Sequence, residues 1–184
     1  MVVKVVLAAS AVLVSIVLSG CVVVFTNPLP VSQPLGLDKR LLGRWAGKDE
    51  QGNDYSIRFE TRANGNTVVS LPDVGYRNPL FRVVTTEIST VNYLILRLDD
   101  PSDDKTYMVG SYSIGGDSLT ICLLNEDRIR AAIKQGRLKG KLANSPWGGA
   151  TITENSKSVL AFLASPNSKD LFTCPGELKK VATN

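Results

Sequence analysis

Asp54-Tyr55-Ser56-Ile57-Arg58-Phe59-Glu60 carries an apolar side chain on every second residue, so Tyr55, Ile57 and Phe59 share one face while Ser56, Arg58 and Glu60 share the other. That alternation is the period of a strand with one buried face. Ala63-Asn64-Gly65-Asn66 follows, and Asn-Gly tolerates the positive φ values that a tight hairpin turn demands. Thr67 to Leu71 then pairs back. The same signature recurs on both sides of this hairpin. Leu42-Gly43-Arg44-Trp45 opens the series, and Leu80–Ile88, Tyr93–Leu98, Thr106–Ile114 and Ser118–Leu124 continue it. Tyr93–Leu98 is rich enough in Leu and Ile to be buried on both faces. Seven strands with short connections predict a mainly β fold: an antiparallel β-meander forming a lipocalin-like barrel or a strongly bent sheet.

After Leu124 the hydrophobic period lengthens. Asn125 is placed to cap a helix whose Ile129, Ala132, Ile133 and Gly136 share a face. Gly140 to Gly149 reads as loop and Ala150–Thr153 as a short strand. Asn155 caps a second helix carrying Val159, Leu160, Phe162 and Leu163, stopped by Pro166. The expectation is therefore one globular domain over 38–184, with the meander at 38–124 and a helix–strand–helix unit and tail at 125–184. An α+β arrangement is the alternative.

The first residues carry a different message. Met1-Val2-Val3-Lys4 supplies positive charge, Val5 to Leu18 is apolar except for Ser10 and Ser15, and small residues Ser19 and Gly20 precede Cys21. These are the parts of a secretory leader. Leu18-Ser19-Gly20-Cys21 resembles the lipobox of bacterial lipoproteins. The resemblance implies diacylglycerol transfer to the Cys21 sulfur, cleavage between Gly20 and Cys21, and acylation by chains such as palmitate. Residues 1–20 are then a signal peptide and 21–37 a lipidated cysteine followed by a tether containing Pro28, Pro30 and Pro34. The residue after the cysteine is valine rather than aspartate, which points to the outer membrane of a Gram-negative envelope, facing the periplasm. Two alternatives stay open: an uncleaved membrane anchor, since Val5 to Phe25 is about the 20 residues a bilayer requires, and an ordinary secretory signal.

Asp38-Lys39-Arg40-Leu41-Leu42-Gly43-Arg44-Trp45 resembles the opening of lipocalins, where a short helical turn runs into Gly-X-Trp. The resemblance implies that Gly43 permits close backbone approach and that Trp45 plugs one end of a barrel. The family's Thr-Asp-Tyr motif is absent, and only seven strands precede the first helix.

Composition narrows the chemistry. Net charge is only +4, too small to argue for nucleic acid. Histidine is absent, which removes the commonest general base and transition-metal ligand together. No Gly-X-Ser-X-Gly or phosphate-loop spacing occurs, so no catalytic residue, metal or cofactor is expected and the chain is read as a non-enzyme. The acidic run Asp99–Asp104 lacks the spacing of a calcium loop and reads as a solvated connection. Arg128, Arg130, Lys134, Arg137, Lys139 and Lys141 read as a solvated helix face, with lipid phosphates as the alternative partner. With Cys21 committed to lipid, Cys122 and Cys174 remain, and a pair outside the cytosol reads as a disulfide, two free thiols being the alternative. The expected function is a membrane-anchored lipoprotein that holds a small apolar or lipid ligand. Tyr55, Ile57, Phe59, Tyr93, Ile95 and Tyr107 are candidate lining residues. The alternative is an accessory or structural lipoprotein acting through contacts with envelope proteins.

Overall fold

The computed structural model describes residues 23–27, 36–49, 52–72, 80–98, 106–143 and 149–182. The chain enters through β1 (Val23–Phe25), and a 3-10 turn at Lys39–Leu41 leads into the meander. Its strands are β2 (Gly43–Lys48), β3 (Asp54–Thr61), β4 (Thr67–Ser70), β5 (Leu80–Ile88), β6 (Val91–Leu98), β7 (Met108–Gly115) and β8 (Ser118–Leu124), each antiparallel to the next. Helices α1 (Glu126–Lys134) and α2 (Ser156–Leu163) follow, with β9 (Gly140–Leu142) and β10 (Ala150–Ile152) between them. The chain ends in β11 (Phe172–Thr173) and β12 (Glu177–Val181). β12 inserts between β8 and β2, pairing Leu178 with Leu119 and Lys180 with Trp45, and so closes an eight-stranded antiparallel barrel. The mainly β barrel with two helices is the fold expected from the sequence, in its closed form.

The register carries one inner face round the barrel. Trp45 lies opposite Ile57, Phe59 opposite Val69, Val69 opposite Phe81, Phe81 opposite Leu98, and Leu119 opposite both Ile114 and Leu178. Because side chains alternate along a strand, the other face of β6 and β7 looks outward, where Tyr93, Ile95 and Val109 meet a second core with Ile129, Ala132, Val159 and Leu163 of the helices. Tyr93 and Leu94 are each 1% exposed yet belong to different cores, so β6 is buried on both faces. The Tyr93 hydroxyl donates to the Leu163 carbonyl at 3.2 Å and pins α2 to the barrel wall.

Both helices start as their sequences predict: the Asn125 side chain accepts from Arg128 N and the Asn155 side chain from Ser158 N. The β3–β4 turn differs in detail. Gly65 alone takes a positive φ, +80°, while the Asn64 side chain accepts from Asn66 N at 3.0 Å. The Asn side chain supplies the local acceptor instead of adopting the left-handed conformation itself.

Three expectations are corrected. Val23–Phe25, read as the start of a tether, is a strand of the domain: it runs parallel to β10, and Val23 and Phe25 are 5% and 3% exposed. Its alternating apolar residues find a sheet edge to complete, so Val23–Phe25 belongs to the domain rather than to a tether. Pro28, Pro30 and Pro34 lie outside the described residues, in sequence between two segments that both dock on the same body. Gly140–Leu142, read as loop, is β9, because β10 needs an antiparallel partner. The C-terminal tail supplies the eighth barrel strand; with Leu178 as its one fully buried side chain, Glu177–Val181 shows little apolar alternation.

A disulfide joins Cys122 to Cys174 across 52 residues, with Cα atoms 4.0 Å apart. It holds β8 to the Cys174-Pro175-Gly176 bend between β11 and β12, both of which pair with β8. The covalent link therefore sits beside the closing strand.

Candidate functional site

One end of the barrel is sealed. Leu41 and Trp45 are both fully buried, and the Trp45 indole Nε1 donates to the Leu41 carbonyl at 2.7 Å, tying the 3-10 turn to the barrel interior. Gly43 between them has φ +116°, a conformation that L side chains rarely adopt, which is why a glycine stands there. The ammonium of Lys180 lies 5.1 Å from the centre of a Trp45 ring.

A polar latch fastens the same end. The Asp38 carboxylate accepts from Arg40 N at 3.0 Å and from the Tyr112 hydroxyl at 3.1 Å. Asp38 N donates to Thr85 Oγ1 at 2.9 Å, and that hydroxyl donates to the Gly36 carbonyl at 2.9 Å. The hydrogen bonds from Arg40 hold the Asp38 carboxyl below its ordinary pKa. Burial, reinforced by the Asp38 charge, pushes the Tyr112 phenol up to about 12. Nothing in sequence spacing pairs Asp38 with Tyr112, and this latch is legible only in three dimensions.

From mid-barrel towards the other end the inner face changes character. Tyr55, Ile57, Leu96, Leu98, Met108 and Ile121 pack against the inner core but are only half-buried. Leu123, on the same face of β8 as Leu119 and Ile121 by alternation, is 40% exposed. By register Ile57 lies opposite Trp45 and Ile121 opposite Tyr112, so among the described residues the half-buried side chains towards the other end are Tyr55, Leu96, Leu98 and Met108. Among the described residues the inner face is thus fully buried at the Trp45 end, and apolar but partly exposed towards the other. An eight-stranded barrel is about the size at which side chains fill the interior or leave room for one small ligand.

The six candidate lining residues divide between the two cores. Tyr55, Ile57 and Phe59 face the barrel interior, Phe59 being fully enclosed. Tyr93, Ile95 and Tyr107 belong to the outer core, on the opposite side of the wall. The six therefore do not line one cavity. Leu96, Leu98, Met108 and Ile121 join the first group, and their alternation with outward residues was the available signal. On the outer wall, an open depression of about 530 Å³ is lined by Arg44, Ala46, Gly47, Lys48, Asp54, Tyr55 and Ser56. Arg44 Nε donates to Ser56 Oγ at 3.1 Å, and Lys48 pairs with Asp54 at 2.7 Å.

Gly20 and Cys21 lie outside the described residues, as does the acidic stretch 99–104. Among the described residues no group of three or more His, Cys, Asp or Glu side chains could hold a metal ion, and no helix is long and apolar enough to cross a membrane. Within the cationic run, Arg130 pairs with Glu126 at 3.2 Å, while Arg128, Lys134, Arg137, Lys139 and Lys141 are exposed. No family model matches the chain, and neither a curated protein nor a solved structure matches it.

Proposed function

We propose that this chain is a lipid-anchored lipoprotein of the cell envelope, acylated at Cys21 and facing the periplasm, whose barrel takes a small apolar ligand such as a lipid into its open end. The observation that carries the binding reading is the contrast between the two ends of the inner face. Trp45 and Leu41 seal one, and the partly exposed Tyr55, Leu96, Leu98 and Met108 stand towards the other. Side chains that form an apolar wall yet remain open to water gain free energy when an apolar ligand covers them, about 25 cal/mol per Å². The anchor reading is supported by Leu18-Ser19-Gly20-Cys21 at the end of an apolar leader.

The test is mass spectrometry of protein extracted from the membranes of cells that make it. The expected result is an N-terminal peptide starting at a diacylglyceryl-modified Cys21, with a small lipid co-purifying in roughly equal amount. Unmodified Cys21 with the leader still attached contradicts the anchor. Modified protein that carries no lipid and acquires none when lipid is offered contradicts the ligand.

A further inference from the structure

The acylated cysteine and the first buried strand are nearly adjacent. Val23 is 5% exposed and paired with Ala150, so its position in the domain is fixed by backbone and side chain alike. Two residues span at most about 7 Å, whatever their conformation. A lipid carried on Cys21 therefore enters its bilayer close to the Val23 end of β1, and the proline-rich stretch, which comes after β1, adds nothing to that reach.

We infer that the domain rests against the membrane rather than standing off from it, with the outward face of the β1–β10–β9 sheet and, at its end, Ala143 and Gly149 as the surface that meets lipid headgroups. This rests on the lipoprotein reading. The register places Val23 beside Ala150 and Leu142, and the exposed Ala143 donates its N–H to the Gly149 carbonyl at 2.9 Å just beyond them. The buried face of this sheet packs into the outer core through Val23, Phe25, Ala150 and Ile152. Its other face carries Val24, Thr151 and Lys141 side by side, Lys141 two strands from Val24, or about 10 Å. Lys141 and the exposed Lys139 give that face positive charge, which suits the anionic headgroups of a bilayer. β1 sits against β7, and β3 is four strands away round the barrel in either direction. The outer wall at Glu60 thus faces away from the membrane.

The experiment uses the full chain, purified after processing and reconstituted into vesicles of phosphatidylethanolamine and phosphatidylglycerol. A photo-crosslinking phenylalanine analogue is placed in turn at Ala143, Lys141 and Glu60, and lipid adducts are counted by mass spectrometry. Adducts should be severalfold more abundant at Ala143 and Lys141 than at Glu60. A flexible Gly/Ser spacer of about ten residues between Val22 and Val23, adding roughly 17 Å on average, should bring the sites towards equality. Acylated protein with equal adducts at all three sites overturns the inference alone. A Cys21 found without acyl chains overturns the lipoprotein reading and this inference with it.

Discussion

Phe25 and Tyr107 exchange two backbone hydrogen bonds, Phe25 N to Tyr107 O at 2.8 Å and Tyr107 N to Phe25 O at 3.1 Å. This bridge ties β1, a strand of the three-stranded sheet, to the residue just before β7, so a segment that continues an apolar run in sequence is fastened to the barrel. Phe25 is 3% exposed within the outer core. Truncation there should be expensive: Phe25→Ala is expected to lower unfolding free energy by about 3–5 kcal/mol, measured by urea denaturation. Phe25→Leu, which keeps most of the volume, should cost much less.

Trp45 should divide its contribution between packing and one hydrogen bond. Trp45→Ala removes a fully buried side chain beneath the 3-10 turn and should cost about 3–5 kcal/mol. Trp45→Phe keeps a ring but leaves the Leu41 carbonyl without its 2.7 Å donor, an additional loss of about 1–3 kcal/mol from that source. Denaturation midpoints for both variants at neutral pH check the ranking.

The Asp38–Tyr112 contact predicts opposite limbs of a stability–pH curve. Asp38 has a folded pKa below its ordinary 3.8, so its contribution is present above that value and disappears as pH falls through the lowered one. Asp38→Asn should flatten the acid limb. Tyr112 has a folded pKa raised from 10.0 to about 12, so its contribution is complete below pH 10 and is lost as pH rises towards the folded value. Tyr112→Phe should flatten the alkaline limb. Melting temperature against pH, with ultraviolet titration of phenolate, reads both signs.

Cutting the link between Cys122 and Cys174 frees the segment that closes the barrel. Reduction, or Cys122→Ser with Cys174→Ser, should cost about 2–4 kcal/mol for a loop of 52 residues. Hydrogen exchange should show the loss concentrated in β11, β12 and the facing edge of β8, with β5 and β6 still protected.

The meander was readable where a strand alternates, as at Tyr55, Ile57 and Phe59, and where a turn is marked, as at Asn64-Gly65. Tyr55, Ile57 and Phe59 share an inner face just as their spacing requires. β12 was not readable: a short strand with Glu177, Lys179 and Lys180 turned to solvent looks like an ordinary polar tail, and only its place between β8 and β2 reveals it. β1 was hidden for the converse reason, since Val23-Val24-Phe25 continues an apolar run and periodicity cannot separate the end of a leader from a buried strand. At the candidate site, alternation identified which residues of one strand share a face. It could not say whether that face pointed into the barrel or towards the helices, and Tyr93, Ile95 and Tyr107 took the second side.

Binding of an apolar fluorescent probe is the most direct test of the function proposed for the barrel. A chain starting at Val22, titrated with cis-parinaric acid, should show saturable binding at one site. Leu98→Glu and Leu123→Glu, which put charge at the mouth where it can still reach water, should weaken binding at least about tenfold, or ~1.4 kcal/mol. Glu60→Lys on the outer wall should leave it unchanged. Circular dichroism confirms that each variant keeps its fold. Non-saturable binding, or equal affinity in the mouth variants and the parent, would contradict the account.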